Sequence, residues 1–212
     1  MGRRQHPTAA NREGGFAMHA VLRRVLIPLA AVLSLAACAE PDRPLYPEVT
    51  FAHLHPIKVN VGRTEVVDVF RPTLKPPHVE HEFPVSPMAA VHRWASDRLQ
   101  PVGTAGVVQV VVEDASVVEV PLERTEGIEG MVTVDQAYRY DANLVVQINI
   151  IDAGGQNVGY IRIEAQRTRT VPENLTLNER DQIFFEITEA LMRDFNVEAE
   201  KSMRQYLTTY VH

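Results

Sequence analysis

The chain has a single cysteine, Cys38, among 212 residues, so no internal disulfide forms and stability has to come from packing. Long apolar runs are missing too. The longest apolar stretch, Val25 to Leu35, has 11 residues, against the roughly 20 that a membrane-spanning helix needs. Excess positive charge is absent. The net charge is −6, and residues 1–37 hold five of the 21 basic residues and one of the 27 acidic ones. The remainder, with 16 basic and 26 acidic residues, carries −10. That balance excludes nucleic-acid binding by clustered Lys and Arg, and electrostatic adhesion to anionic lipid. There is no Gly-x-Ser-x-Gly elbow, and Gly154-Gly155 has neither dinucleotide-binding nor P-loop spacing. No internal repeat is present.

The charge asymmetry points to the N-terminus. Arg23-Arg24 precedes the apolar stretch, and Leu35-Ala36-Ala37 then leads into Cys38. A basic head, a short apolar core and small residues before a cut site make a secretory signal, here residues 1–37. Met18 offers a second start with a compact head, because residues 1–17 are polar and aperiodic. Leu35-Ala36-Ala37-Cys38 resembles the bacterial lipobox, in which the thiol takes a diacylglycerol before cleavage. That resemblance implies a lipidated Cys38 and an anchor of more than one acyl chain, as stable membrane attachment requires. Ala39 stands where inner-membrane retention signals carry Asp, which implies the outer membrane, facing the periplasm. Residues 38–56 contain Pro41, Pro44, Pro47 and Pro56 and read as an extended tether.

Residues 57–212 then read as one periplasmic α+β domain. Ile57, Val59 and Val61 alternate with polar residues as in a strand, which Gly62 interrupts and Glu65 to Phe70 continues past a bulge. Residues 71–85 form a Pro-rich connector. Ser86-Pro87 opens a helix with Val91, Trp94, Ala95 and Leu99 on one face, ended by Pro101 and Gly103. Val107 to Val112 is a β-rich run that Val117 to Leu122 extends, and Glu123 to Gly130 is a charged turn. Tyr138 to Asp152 and Val158 to Thr168 are alternating strands around the turn Ala153-Gly154-Gly155-Gln156-Asn157. Thr176 and Glu179 have capping-box spacing ahead of a second helix, striped by Phe184, Ile187, Leu191 and Phe195 and running toward Tyr206 with a bend expected near Asn196. The order β-α-β-β-β-α predicts an antiparallel sheet with two amphipathic helices on one face.

From His92-Arg93-Trp94-Ala95 onward, this order resembles the ABC-type transport auxiliary lipoproteins of the PqiC-like group, and other small envelope lipoproteins such as YajG and LptE, over roughly residues 57–207. The charged Glu123 to Gly130 stretch and the histidine-containing segments stand outside it. The resemblance implies an outer-membrane anchored subunit that docks with a lipid-transport or envelope-assembly complex.

The sharpest chemical candidates are histidines. His53 and His55 share one side of an extended stretch, and His78-Val79-Glu80-His81-Glu82 adds two imidazoles and two carboxylates. Four such groups could close a site for a transition metal, giving a metal-binding protein or hydrolase as the alternative reading. Without metalloprotease spacing, solvated loop histidines are the expectation, and neither metal nor cofactor is expected. Ser86, Ser96, Ser116 and Ser202 lack any nucleophile motif, and Glu113-Asp114 and Glu80/Glu82 read as solvated acids. Trp94, Phe184 and Phe195 read as core, with Phe185 off the main stripe and marking a second contact. Arg162, Arg167 and Arg169 form a basic row that protects a sheet edge or docks an acidic partner. The expectation is a non-catalytic, lipid-anchored accessory subunit that captures an envelope protein through a free sheet edge or the mixed sheet face.

Overall fold

Alternation is strongest in the pair β6 (Gln136–Ile151) and β7 (Asn157–Pro172), and it produces a hairpin of two 16-residue strands. A computed structural model describes residues 46–122 and 136–212. The expected secretion signal, Leu35, Ala36, Ala37, Cys38, the first part of the expected tether and the turn expected at Glu123 to Gly130 lie outside the described residues. The hairpin runs in register from Tyr138↔Val171 to Ile150↔Gly159. Its turn is closed by Asp152, whose carboxylate accepts from the amides of Gly154 (2.8 Å) and Gln156 (2.9 Å). Gly155 sits at φ +81°, which a Cβ would disfavour.

Strands β4 (Val107–Asp114) and β5 (Val117–Pro121) lie end to end along the other edge of β6, both antiparallel to it. They are the extended run read from sequence, broken by a bulge at Val112/Asp114. Asp114 stitches the bulge: its carboxylate accepts from the Ser116 amide (3.0 Å) and the Asn143 side chain (2.6 Å).

The first strand departs from expectation. It splits into β1 (Ile57–Val59) and β2 (Arg63–Asp68), which belong to different sheets. β1 pairs in parallel with β3 (Leu99–Pro101), and β2 pairs in parallel with β4 from Arg63↔Val107 to Asp68↔Val112. The main sheet is therefore mixed, in spatial order β2, β4–β5, β6, β7. The cause is the connection. A parallel pair needs a crossover, which the helix between β2 and β4 supplies, and period-2 alternation carries no information on strand direction.

Helix α1 (Pro87–Arg98) begins where Ser86 accepts from the Ala89 amide (3.3 Å) with proline in the first turn. Helix α2 (Leu177–Tyr206) begins with the complete Thr176/Glu179 capping box and runs 30 residues, about 45 Å, as one helix past Asn196. Both cover one face of the main sheet. Val108, Val110 and Val112 of β4, Leu144, Val146 and Ile148 of β6 and Ile161 and Ile163 of β7 form that face, packed against Trp94, Phe184, Leu191 and Phe195. The α+β class and two amphipathic helices on a sheet are as the sequence predicts.

Residues 46–56, expected as tether, instead pack onto the helices. Val49 and Phe51 are buried, and the Asp97 carboxylate accepts from the Thr50 hydroxyl (2.7 Å) and the Phe51 amide (2.8 Å). Tyr46 stacks on Phe185 with centroids 5.5 Å apart, which is the second contact expected of that off-stripe ring. The proline content suggested an extended chain, and hydrophobic side chains between the prolines dock it. The last residues clip onto β1, with the Asn60 amide donating to Tyr210 (2.7 Å) and the His212 amide to Lys58 (3.1 Å).

Candidate functional site

The four candidate histidines do not form a metal centre. His53 lines an open groove of about 540 Å³ between residues 47–54 and α2, with Glu189, Arg193 and Asn196. His55 contributes its main-chain carbonyl, which accepts from Arg98. His78 and His81 sit beside β5 instead, the latter on a single 3-10 turn, Glu80–Glu82. Among the described residues no three His, Cys, Asp or Glu side chains are grouped to hold a metal ion.

What the His78 segment does is visible in its main chain. The Val79 amide donates to Val117 (2.9 Å), the Glu119 amide donates to Pro77 (2.8 Å), and His78 bridges Val118. Residues 77–79 therefore cover the outer edge of β5. Glu80 secures the strap: it is 2% exposed, and its Oε2 accepts from the Val117 amide at 3.1 Å. This corrects the reading of Glu80 as a solvated acid, while Glu82 is exposed as expected. Glu80 is buried because an edge amide needs an acceptor, and Glu82 pairs with Arg180 at 3.0 Å. His78 Nδ1 lies 3.7 Å from Glu80 Oε2, outside hydrogen-bond distance.

Two of the three arginines in the basic row on β7 are held in close ion pairs within the fold. Arg162 donates to Glu113 (2.9 Å) and Glu164, and hydrogen bonds to these two carboxylates raise its pKa. Arg167 pairs with Asp194 and Arg169 approaches Glu186 at 3.7 Å, both partners on α2. The face of the sheet away from the helices carries an amide ladder. Gln147 donates to Asn149 Oδ1 (2.8 Å), as does Asn157 (3.1 Å), and Asn149 donates to Gln109 (3.3 Å). Gln109 and Asn149 occupy one cross-strand pair, and Val111 and Val145 on the same face make it mixed rather than apolar.

The edges differ. β2 covers β4 and has no backbone partner on its own outer side among the described residues, and the 77–79 strap covers β5. β7 pairs with β6 alone, and its other side has no backbone partner among the described residues. Alternation shows which groups face outward. The Asn143 amide donates to Ser116 on the β5 side, so its neighbour Leu144 turns its main chain toward Ala165 of β7. Ala165 thus faces β6, and Arg162, Glu164, Gln166 and Thr168 present their N–H and C=O groups outward. The sequence signalled β7 as a strand. Its being an edge follows from the tertiary order and was expected only through the arginine row.

Sequence reasoning missed one polar cluster in the interior. Arg98 is 1% exposed and donates to Asn196 Oδ1 (3.0 Å), His55 O and the Glu200 carboxylate. The signal available was its position one turn beyond Trp94, on the buried face of α1.

No protein-family model matches the chain, and no curated protein matches it. Among solved structures it is similar to a minor lipoprotein from Acinetobacter baumannii, with 11% identity and a TM-score of 0.34 over 70% of this chain and 96% of that one. It is also similar to the rare lipoprotein B from Shewanella oneidensis, with 13% identity and a TM-score of 0.33 over 68% of this chain and 98% of that one.

Proposed function

We propose that this chain is a non-catalytic, lipid-anchored accessory subunit of an envelope transport or assembly complex, held at the outer membrane through Cys38, facing the periplasm, and docking a protein partner along β7. The observation that carries this reading is the one-sided pairing of β7. A strand of 16 residues whose outer main-chain donors and acceptors have no backbone partner among the described residues is a template for strand addition; the opposite margin, β2, pairs only with β4 but has six residues. Two features support the rest. The Arg23-Arg24 head, the 11-residue apolar stretch and Leu35-Ala36-Ala37-Cys38 stand in register for export and lipidation. The −10 charge of residues 38–212 favours a protein partner over nucleic acid.

The test is a cross-linked pull-down of the tagged chain from envelopes, with Gln166→Pro and Cys38→Ala. Proline at Gln166 removes an outward N–H and leaves the β6 ladder intact. The expected result is recovery of a specific envelope protein, lost with Gln166→Pro while the variant stays in the membrane fraction. Cys38→Ala is expected to release the chain from that fraction. A pull-down unchanged by Gln166→Pro overturns the docking edge, and undiminished membrane retention of Cys38→Ala overturns the anchor.

A further inference from the structure

Beside the open edge of β7 lies a crevice of about 120 Å³. Arg167, Thr168 and Arg169 form one wall, and Ile183, Glu186, Ile187 and Ala190 of α2 form the other. Ile183, Ile187 and Ala190 recur at helical spacing one position off the core stripe of Phe184, Thr188 and Leu191. They face the odd-numbered side chains of β7, where Arg167 and Arg169 reach Asp194 and Glu186. Ile187 is buried, while Ile183 and Ala190 are only partly covered. This second apolar stripe therefore ends at the sheet edge with no neighbouring strand among the described residues to finish it.

We propose that this crevice is the side-chain pocket of a strand-docking site: an extended segment of an acidic, aliphatic character adds to β7, and one of its valine- or leucine-sized side chains fills the crevice. The inference rests on the reading of β7 as the docking edge and specifies what that edge selects. Three features converge on this occupant. The outward main-chain groups of Gln166 and Thr168 flank the crevice, so an added strand places every second side chain over it. The crevice is small, about 120 Å³, so one branched aliphatic side chain suffices to fill it. The rim supplies charge complementarity. Arg169 is about half exposed and lies 3.7 Å from Glu186, its ion-pair partner among the described residues, beyond hydrogen-bond distance, so guanidinium donors remain for a carboxylate on the incoming strand.

The experiment measures fluorescence anisotropy of a short labelled peptide, capped at both ends, of alternating threonine and valine with a central leucine and an aspartate two residues from it, on the same face of the strand. The protein is the full chain solubilised in detergent. Wild type is expected to bind this peptide. Replacing its leucine by glycine, methylating its alternate amides, or filling the crevice with Ala190→Trp should each weaken binding by about tenfold or more. Arg169→Glu should weaken the aspartate peptide and strengthen one carrying lysine in its place, a gain that misfolding does not produce. Absence of binding to folded wild type, equal binding of the glycine peptide, or self-association through β7 that excludes the peptide each overturns the proposal. The pull-down separates this failure from that of the broader reading. If Gln166→Pro abolishes capture and Ala190→Trp does not, the edge stands and the crevice fails. If neither affects capture, the docking reading itself fails.

Discussion

The indole Nε1 of Trp94 donates to Asn196 Oδ1 at 2.9 Å, tying the middle of α1 to the middle of α2 through a bond buried in the core. The same oxygen accepts from Arg98 Nε at 3.0 Å, so one amide satisfies two buried donors. Trp94 also meets Phe195 edge-on, with centroids 4.9 Å apart and planes at 74°. Helix packing here is specified by a polar contact inside an apolar one.

Asn196→Leu is therefore expected to cost more than its lost hydrogen bonds. It leaves the indole N–H and one guanidinium N–H buried without an acceptor, a loss of about 2–4 kcal/mol. For a domain of this size that lowers Tm by roughly 5–12 °C in thermal denaturation. The cycle with Trp94→Phe separates the two donors: the double variant should be less destabilised than the sum of the singles, and strict additivity would count against a shared acceptor.

The Asp97 carboxylate connects α1 to residues 50–51 and gives that contact a pH dependence. Burial pushes its pKa up. Hydrogen bonds from the Thr50 hydroxyl and the Phe51 amide, together with the Arg93 guanidinium, outweigh burial and hold the pKa below the ordinary carboxylate value of 3.8. A carboxyl depressed in the folded state stabilises fully above its unfolded pKa, and that stabilisation is lost as pH falls through the folded value. The contact is thus expected to be intact at neutral pH and to weaken below about pH 4. Hydrogen exchange at the Phe51 amide, followed downward in pH against Asp97→Asn, checks this. Protection that is independent of pH in the wild type down to acid unfolding would contradict it.

Much of the fold was legible because local chemistry and tertiary role coincide. Ser86-Pro87, the Thr176/Glu179 box and the glycine turn after Asp152 act within a few residues of themselves, and each forms as read. What escaped depends on partners distant in sequence. The separation of β1 from β2, the parallel pairing of β2 with β4 and the docking of residues 46–56 are decided by α1 and β3. His78 looked like a ligand because imidazole types are visible in sequence, whereas the edge strap it belongs to lies in main-chain bonds of its neighbours Val79 and Pro77 to Val117 and Glu119, which any side chain would permit.

The crossing of the chain at residues 60–62 and 103–106 explains one of those distant constraints and makes a sharp prediction. A Cβ on Gly103 would lie 2.6 Å from Asn60 Oδ1 and 2.8 Å from the Asn60 and Val61 main chain. Gly103→Ala has to push apart the β1–β3 pair and is expected to cost about 1–3 kcal/mol. Gly154→Ala meets only the Asp152 carboxylate, at 3.3 Å, and should change stability much less. Equal midpoints for the two variants in urea would show that the crossing relaxes freely.

The outward orientation of even-numbered β7 residues is testable without any partner, through two prolines one residue apart. At Gln166 the N–H faces away from β6, so Gln166→Pro removes no ladder bond and should leave the urea midpoint nearly unchanged. At Ala165 the N–H points to Leu144, and the side chain is buried on the helix face. Ala165→Pro deletes that bond, leaves a buried carbonyl unpaired and crowds the core, for a loss of about 1–3 kcal/mol from the orphaned group alone. If the two prolines destabilise equally, the orientation of the strand is not the one described, and a loss of partner capture on Gln166→Pro would no longer distinguish a broken docking edge from a damaged fold. If only Ala165→Pro does so, the edge variant is a clean instrument: it alters a row of main-chain groups that have no backbone partner among the described residues.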